Sequence, residues 1–496
     1  MPQPSKKTEK MNINDERDVR LHKLAELRAS GMNPYPATAA RDRSIKEAIE
    51  QPEDTHVSIA GRVMTKREMG KLAFCHVQDE SAKMQIVIRQ DVVSNESFKL
   101  FNKKVDIGDF IACAGERCVT KTGEQSVMVR EWSFLAKAVR PLPDKFHGVV
   151  DEEIKLRKRY LDLLFDPETK ALFRRKAVFW QSMRSFLLQE KFLEVETPVL
   201  ETTAGGADAN PFVTHHDALD MSVYLRISMG ELWQKRLMVG GFEKTFEIGR
   251  QFRNEGISRE HLQDYTQMEF YWAFADYRKG MELVERMYKY VVQETYGSLQ
   301  IKEIGNFTDI DLAQPWKEID YVETIEQITG VNVLAATEQQ LQQKLEELDV
   351  RYESHEGKAR LMDSLWKYCR KQVKGPVFLV RLPVDVSPLA KRAQDNPELT
   401  ERYQVIIAGT ELGNGYSELN DPVDQMHRFQ EQARLREAGD AEAQMYDADF
   451  VEALEYGMPP TTGFGVSERL FSFLENKPIR ECVLFPLMRP ERPVDV

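Results

Sequence analysis

The chain has 496 residues, of which 42% are hydrophobic and 30% charged, and its formal net charge is −12. This length exceeds what one compact core uses, so two or more globular domains are expected, and the acidic balance disfavours a general nucleic-acid coat while allowing one local basic patch. The sequence has no apolar run long enough to span a membrane, and its five cysteines form no C-x-x-C pair, which disfavours a disulfide framework and a zinc ribbon.

Residues 1–55 are predicted to form a polar tail followed by one amphipathic helix. The first residues lack the apolar core of a secretory signal, so we expect an unprocessed N-terminus and a cytoplasmic protein. In "NDERDVRLHKLAELRAS", apolar residues recur with helical spacing from Val19 to Leu27, and Gly31 follows the stretch. The helix is therefore expected to end before Gly31.

Residues 56–142 are predicted to form a five-stranded β-barrel of the OB kind. Short alternating runs, among them "VSIAGRVM", "KLAFCHVQD" and "KMQIVIR", are separated by turn residues. Five such strands in roughly eighty residues favour a small closed barrel. Phe74 shares a strand face with the polar side chains of His76 and Gln78, which suits a platform for stacking bases, although a core phenylalanine is the alternative.

Residues 150–496 are predicted to form a second and larger domain. The proline-rich stretch "RPLPDKFHG" at 140–148 marks the boundary. Beyond it, long helical stretches such as "ETKALFRRKAVFWQSMRSFLLQE" and "LQQKLEELDV" are mixed with strands in hairpin order. This order favours an α+β fold with an antiparallel sheet flanked by helices over a doubly wound fold.

A charged hairpin, "KTFEIGRQFRNEGISREHLQDYTQMEFYW" at 244–272, is the first candidate site. Strand periodicity places Gln267, Glu269 and Tyr271 on one face, and Arg253 from the preceding strand joins them. The alternative is a solvent-facing hairpin whose charges pair across the strands.

Three further stretches belong to the same pattern. In "GNGYSELND", Asn414, Tyr416 and Glu418 alternate onto one strand face. The stretch "PPTTGFGVSERLFSFL" is interpreted as a glycine-spaced turn that leads into a helix. The stretch "KFLEVETPVL" is strand-like and ends near Pro198.

Taken in order, these stretches resemble the three signature motifs of class II aminoacyl-tRNA synthetases. The segments "FRNEGIS", "VSPLAKR", "NGYSELND", "RPLPDKFHG" and "RKRYLDL" resemble the lysyl-tRNA synthetases of the bacterial type. The resemblance implies ATP-dependent attachment of L-lysine to tRNA(Lys) through a lysyl-adenylate, with release of AMP and diphosphate and with ATP and Mg²⁺ bound. It also implies a homodimer, because the motif around Pro198 is the dimer-forming segment of the family.

The resemblance assigns roles residue by residue. The residues implied for ATP are Arg253, Glu255, His261, Tyr265, Glu411 and Arg469, and of these Arg253, His261 and Arg469 are implied to be catalytic. The residues implied for lysine are Gly206, Glu231, Glu269, Tyr271, Asn414, Tyr416 and Glu418. The residues implied for the anticodon are Lys66, Arg67, Phe74, Gln85 and Glu124. Magnesium is implied at Glu411, with Gln404 and Glu418 as further candidates.

The sequence departs from the family pattern at three places in the expected site. "RISMGELW" is one residue longer than usual, "GFGVSER" is one residue shorter, and Gln404 stands where a carboxylate is expected. The two length changes either compensate each other or reshape the pocket for a relative of lysine. Other hypotheses are a non-catalytic tRNA- or RNA-binding regulator, a ligase for a lysine analogue, and an enzyme that lysylates protein, although the barrel favours tRNA.

Overall fold

The computed structural model describes residues 16–143, 151–353, 356–437, 439 and 443–491. The chain divides into two compact units, residues 1–148 and 149–496. The predicted N-terminal tail lies outside the described residues. Among the residues that are described, no helix combines the length and the apolar character that a membrane span requires.

The first unit contains a closed five-stranded barrel, as predicted. Its helices are α1 (Glu16–Ala29), α2 (Ile45–Ile49), α3 (Gln90–Val93) and α4 (Asn95–Lys104), and its strands are β1 (His56–Met69), β2 (Leu72–Gln78), β3 (Lys83–Arg89), β4 (Phe110–Val119) and β5 (Gln125–Ala136). The strand order is β1-β2-β3-β5-β4, and β1 also pairs with β4, which closes the barrel. Alternate residues of β2 are buried, so its other face is left for contacts outside the core.

The second unit has an α+β fold, also as predicted. Its helices are α5 (Glu152–Arg157), α6 (Arg159–Phe165), α7 (Pro167–Gln189), α8 (Glu231–Val239), α9 (Tyr277–Tyr296), α10 (Tyr321–Thr329), α11 (Glu338–Glu347), α12 (Lys358–Cys369), α13 (Pro422–Glu437), α14 (Ala448–Glu455) and α15 (Arg469–Leu474). Its strands are β6 (Leu193–Glu194), β7 (Leu200–Glu201), β8 (Val213–His216), β9 (Met221–Leu225), β10 (Lys244–Phe252), β11 (Asp264–Ala273), β12 (Gln300–Ile304), β13 (Phe307–Asp311), β14 (Lys317–Asp320), β15 (Val377–Val380), β16 (Arg402–Ile407), β17 (Thr410–Ser417) and β18 (Thr461–Ser467).

Eight strands form the main sheet in the order β14-β15-β16-β17-β18-β11-β10-β6. The sheet is antiparallel except at its two ends, where β14 pairs with β15 and β6 pairs with β10 in parallel. Parallel neighbours need a crossover connection rather than a tight turn. Here α10 to α12 supply one crossover, and the small sheet β7-β9-β8 with α8 supplies the other.

The stretch predicted to be a glycine-spaced turn is instead the central strand β18. Gly463 and Gly465 pair with β11 on one side and β17 on the other. The prediction was wrong because glycines in a strand also mark places where neighbouring side chains approach the backbone closely. The strand-like stretch near Pro198 contributes only the two-residue strands β6 and β7.

A large hydrophobic cluster of the second unit lies on one face of the sheet, under α7 and α9. Met268 and Phe270 of β11 are fully buried there, together with Phe464 of β18 and Val284 of α9. Period two in the strands then turns the intervening polar side chains to the opposite face. That opposite face carries the candidate site.

Candidate active site

A cavity of about 330 Å³ opens on the polar face of the sheet. Ten of the residues predicted for the site line it: Gly206, Glu231, Arg253, Glu269, Tyr271, Glu411, Asn414, Tyr416, Glu418 and Arg469. They come from β11, β17, the first residues of α8 and α15, and the segments that follow β7, β10 and β17. The strand alternation predicted from the sequence therefore brings both hairpins to one pocket.

Three buried glutamates stand in the pocket. Glu231 is the first residue of α8, Glu269 lies in β11, and Glu418 directly follows β17. Their exposed fractions are 7%, 4% and 1%. Carboxylates so deeply buried need partners that carry hydrogen-bond donors or positive charge.

Glu269 is surrounded by donors. Its carboxylate accepts hydrogen bonds from Ser228 Oγ at 3.1 Å, Met229 N at 2.9 Å, Gln251 Nε2 at 3.0 Å, Gln267 Nε2 at 2.7 Å and Tyr271 Oη at 3.2 Å. Burial, together with the neighbouring charge of Glu231, nevertheless raises the pKa of Glu269 to about 7. The carboxyl group is thus poised to change its charge when a cation arrives.

Glu231 and Glu418 share a cation from the protein itself. Lys235 Nζ lies 3.0 Å from Glu231 Oε1 and also pairs with Glu418. Tyr416 Oη donates a hydrogen bond to Glu231. Burial raises the pKa of Glu418, whereas the Lys235 ammonium lowers it.

Two arginines mark the other part of the pocket. Arg253 directly follows β10, and its Nε donates to the carbonyl of Ile227 at 3.2 Å. Arg469 opens α15, and its guanidinium forms an ion pair with Glu260 of the hairpin loop. Burial lowers the pKa of Arg469 to about 10, so the group remains cationic at neutral pH. The pocket therefore has an anionic part and a cationic part.

Three residues predicted for ATP do not line the cavity. His261 is exposed, and its Nδ1 lies 2.7 Å from Ser258 Oγ within the hairpin loop. Tyr265 is 8% exposed, and the Arg253 guanidinium stands 5.9 Å from the centre of its ring. Glu255 lies in the same loop and is partly buried. All three lie on the hairpin that also carries Arg253.

The residues predicted for magnesium differ in position. Glu411 lines the cavity and stands 3.4 Å from Arg370, and burial raises its pKa. Gln404 lies in β16 outside the lining, and its Oε1 has no hydrogen-bond partner among the described residues. No group of three or more histidine, cysteine, aspartate or glutamate side chains arranged for a metal occurs in the described part of the chain. The carboxylates of Glu411 and Glu418 fit a cation whose other oxygen ligands come from a bound phosphate chain.

Glycine is required at two positions in the pocket wall, because side chains of neighbouring elements come very close to the backbone there. Gly206 has φ +85°, and a Cβ atom there would lie 2.9 Å from the Cβ of Ser228. A Cβ atom on Gly463 would lie 2.7 Å from the ring of Tyr271 and would also overlap the carboxylate of Glu418. These glycines allow the side chains of neighbouring elements to reach the pocket.

The barrel carries a separate polar network on the outer face of β2. Glu124 accepts a hydrogen bond from Gln85 Nε2 at 2.6 Å and lies 2.6 Å from His76 Nε2. Phe74 is half-buried on this face and does not belong to the barrel core. The predicted stacking position is therefore accessible.

The two basic residues predicted beside Phe74 differ. Arg67 is exposed and lies opposite Phe74 in the β1–β2 pairing. Lys66 Nζ donates to the carbonyls of Phe101, Asn102 and Val105 at the end of α4. A phosphate contact by Lys66 would require these hydrogen bonds to open.

Comparison with known proteins decides the family. Residues 151–489 match the model for "tRNA synthetases class II (D, K and N)", and residues 57–135 match the model for an "OB-fold nucleic acid binding domain". The chain belongs to the class II tRNA synthetases. Among its curated relatives are proteins named lysine–tRNA ligase from Thermotoga sp. (strain RQ2), 44% identical with 97% of each chain covered, and from Carboxydothermus hydrogenoformans, 44% identical with 97% of this chain and 99% of the relative covered. A third, from Thermosipho africanus, is 42% identical over 96% of this chain and 97% of its own.

The two changed lengths in this synthetase border one pocket, as expected. The lengthened segment carries Ser228 in the cavity lining and Met229, whose backbone amide bonds to Glu269. The shortened segment contributes Ser467 to the lining. Glu468, next to it, is fully buried, pairs with Lys176 and accepts a hydrogen bond from Thr266 N at 3.1 Å. It therefore ties α15 to the sheet and does not face the cavity.

Sequence reasoning missed several site residues of this synthetase. They are Lys235, which lies behind the pocket, Glu260, which forms an ion pair with Arg469, and the lining residues Arg402, Gln267 and Gln444. Arg402 Nε donates to Asn414 Oδ1 at 2.8 Å, which fixes the orientation of that amide. Gln267 was placed on the correct strand face but received no role. The sequence motifs did not indicate a role for the other four residues.

Proposed function

We propose that this synthetase joins L-lysine to tRNA(Lys) at the expense of ATP. The observation that carries the proposal is the set of three buried glutamates, Glu231, Glu269 and Glu418, in a pocket that also contains Arg253. Free lysine has two ammonium groups and one carboxylate. A pocket with several carboxylates and a nearby guanidinium is complementary to that pattern. The names and coverage of the curated relatives support the same substrate.

In the proposed reaction, an oxygen of the lysine carboxylate attacks the α-phosphorus of ATP. The bond from that phosphorus to the bridging oxygen breaks, diphosphate leaves, and lysyl-adenylate forms. A hydroxyl of the terminal tRNA ribose then attacks the carbonyl carbon, and AMP leaves. The protein needs little covalent chemistry, so positioning and charge stabilisation supply the rate.

Each part of the pocket has a role in this proposal. Glu418 and Tyr271 hold the ε-ammonium, and Gly206 and Glu231 hold the α-ammonium. Arg253 bridges the lysine carboxylate and the α-phosphate, because its planar fork can address two anionic oxygens. Asn414, Tyr416 and Glu269 form the wall beside the lysine chain.

The nucleotide is assigned to the hairpin and α15. Arg469 and His261 hold the outer phosphates, Tyr265 stacks near the adenine, and Glu255 accepts a hydrogen bond from its amino group. Magnesium, when bound to ATP, neutralises the phosphate charges. Glu411 is the main protein ligand proposed for it, with Glu418 and Gln404 as further candidates.

We also propose that the barrel binds the anticodon through Phe74, Gln85, Glu124 and Arg67, with Lys66 joining once its internal bonds open. Stacking on Phe74 and hydrogen bonds to the Gln85 and Glu124 network would read bases of a single strand. We also propose a cytoplasmic location, because charged tRNA is used in translation.

A homodimer is proposed around the small sheet β7-β9-β8. Leu200 of β7 is 48% exposed and Val213 of β8 is 59% exposed. Exposed apolar side chains on two strands of one small sheet favour burial against a second copy. Sedimentation or light scattering of the full chain would test the dimer.

Exchange of labelled diphosphate into ATP, run with each of the twenty amino acids and with lysine analogues, tests the activity. Exchange that depends on lysine supports the proposal, and exchange with an analogue alone would support the alternative ligase. A folded protein that binds tRNA but gives no exchange would be the non-catalytic regulator. Transfer of lysine to protein instead of tRNA would identify the remaining alternative.

A variant at Glu418 tests the assignment of the ε-ammonium. Glu418→Gln removes one buried carboxylate at a cost of about 3–5 kcal/mol for the unpaired ammonium. The KM for lysine should therefore rise far more than the KM for ATP. Equal increases in both would contradict the assignment.

A further inference from the structure

Lys235 is a fully buried cation directly behind the amino-acid pocket. Its side chain is 0% exposed, and it does not line the cavity. Its Nζ pairs with Glu231 and Glu418, and it lies 5.5 Å and 5.8 Å from the ring centres of Tyr416 and Phe450. Burial lowers the pKa of the Lys235 ammonium, but the two carboxylates more than offset this and the pKa is raised. Lys235 therefore stays charged.

The charges around the amino-acid pocket indicate a role for this cation. When all four groups are ionised, the three glutamates and Lys235 together carry a net charge of −2. This charge matches the two ammonium groups of lysine. The lysine carboxylate is directed to Arg253 in the proposed function.

We propose that Lys235 is a specificity-determining positioning residue, which holds Glu231 and Glu418 in place and sets the pocket charge to match a ligand with two ammonium groups. The inference rests on the proposed function and deepens it. The alternative is that Lys235 only stabilises the packing of α8 against the sheet.

Loss of the Lys235 charge would leave Glu418 in unfavourable surroundings. Glu231, Glu269 and Lys235 act on the Glu418 carboxylate, and Tyr271, Tyr403 and Tyr416 lie near it. Without Lys235, these groups are anionic or neutral, so none of them would offset the repulsion between the Glu231 and Glu418 carboxylates. The two carboxylates would then no longer be held where they can meet the substrate ammonium groups.

The first test compares Lys235→Met with the wild type by lysine-dependent diphosphate exchange at pH 7. The KM for lysine should rise about tenfold or more, because one partner of a buried charge pair is lost. The KM for ATP should stay within about twofold, since the cationic part of the pocket is untouched. Lys235→Gln serves as a second neutral variant.

Gln234→Leu is the matched control. Gln234 is equally buried on α8, accepts a hydrogen bond from Thr245 and donates one to the carbonyl of Met229, and none of its recorded hydrogen bonds reaches the three glutamates. A loss of packing alone would therefore appear in both variants, and only the neutral Lys235 variants should raise the KM for lysine without raising the KM for ATP.

The outcomes are distinct. A wild type without lysine-dependent exchange would overturn the proposed function and this inference together. An active wild type whose Lys235→Met variant keeps the lysine KM would overturn the inference alone, as would parallel losses toward lysine and ATP. If neither neutral variant folds, Lys235→Arg decides: it keeps the charge, so a lysine KM near that of the wild type supports the inference, and a lysine KM raised about tenfold overturns it.

Discussion

Glu269 accepts many hydrogen bonds, yet its burial disfavours the ionised form of its carboxyl group. Five donors surround its carboxylate, yet burial holds its pKa near 7, far above the usual range of glutamate. In the empty pocket near neutral pH, a fraction of the molecules therefore carries a proton on this group. An arriving ammonium would lower the pKa and expel that proton.

The first prediction concerns this proton. Lysine binding should release protons at pH 7, and lysine affinity should rise between pH 6 and 8, because the ionised carboxylate binds the ammonium better. Calorimetry in two buffers with different ionisation enthalpies measures the release. Glu269→Gln should release fewer protons; equal release by variant and wild type would assign the proton to another group.

Glu260 occupies the cationic side of the site. Its carboxylate pairs with Arg469, and their side chains are 39% and 20% exposed. We therefore expect Glu260 to compete with a triphosphate for the Arg469 guanidinium.

The second prediction is that Glu260→Gln lowers the KM for ATP. A partly exposed ion pair contributes about 0.2–1 kcal/mol, so the change should be roughly 1.4- to fivefold. The KM for lysine should not change, which makes it the internal control. A higher KM for ATP would mean that Glu260 assists the nucleotide instead of competing with it.

At the scale of elements, β18 determines how closely the pocket walls approach each other. It runs between β11 and β17, and Gly463 lies between Tyr271 of one neighbour and Glu418 beside the other. Any side chain at this position would push these two groups apart. The strand is thus a spacer as well as a part of the sheet.

The third prediction is that Gly463→Ala raises the KM for lysine and lowers stability by about 1–3 kcal/mol, because the added methyl group overpacks the wall. Exchange kinetics and urea unfolding measure the two effects. Gly357→Ala is the control, since the nearest atom to its added Cβ would be 4.0 Å away. Unchanged lysine kinetics in Gly463→Ala would show that the wall adapts.

Strand alternation made much of the pocket predictable from the sequence. It placed Glu269, Tyr271 and Glu418 on polar faces because one side of each strand had to enter the core. Lys235 was not predictable, since a lysine four residues after a glutamate on a helix normally indicates an exposed pair. Only the packing of α8 against the sheet and α14 buries it. Likewise, the glycines of β18 indicate a turn when the sequence is considered alone. Only the pairing with β11 and β17 shows that they lie in a strand.

At the scale of the whole molecule, the chain consists of two units with separate cores and separate candidate sites. The barrel has its own hydrophobic cluster, and the sheet unit has others. The two family matches, residues 57–135 and 151–489, fall one in each unit. Adenylate formation and anticodon recognition are therefore expected to respond separately to substitution.

Phe74→Ala tests this separation. Loss of one stacked base costs about 1–3 kcal/mol, so tRNA charging at limiting tRNA should fall roughly five- to hundredfold. Lysine-dependent diphosphate exchange needs no tRNA and should keep its wild-type rate, because Phe74 is half-buried outside the barrel core and belongs to the other unit. Leu72→Ala, two residues away on the same strand face, is the matched control for lost apolar surface without lost stacking. If exchange and charging fall together, Phe74 supports the fold of the chain; if neither changes, the anticodon does not stack on it.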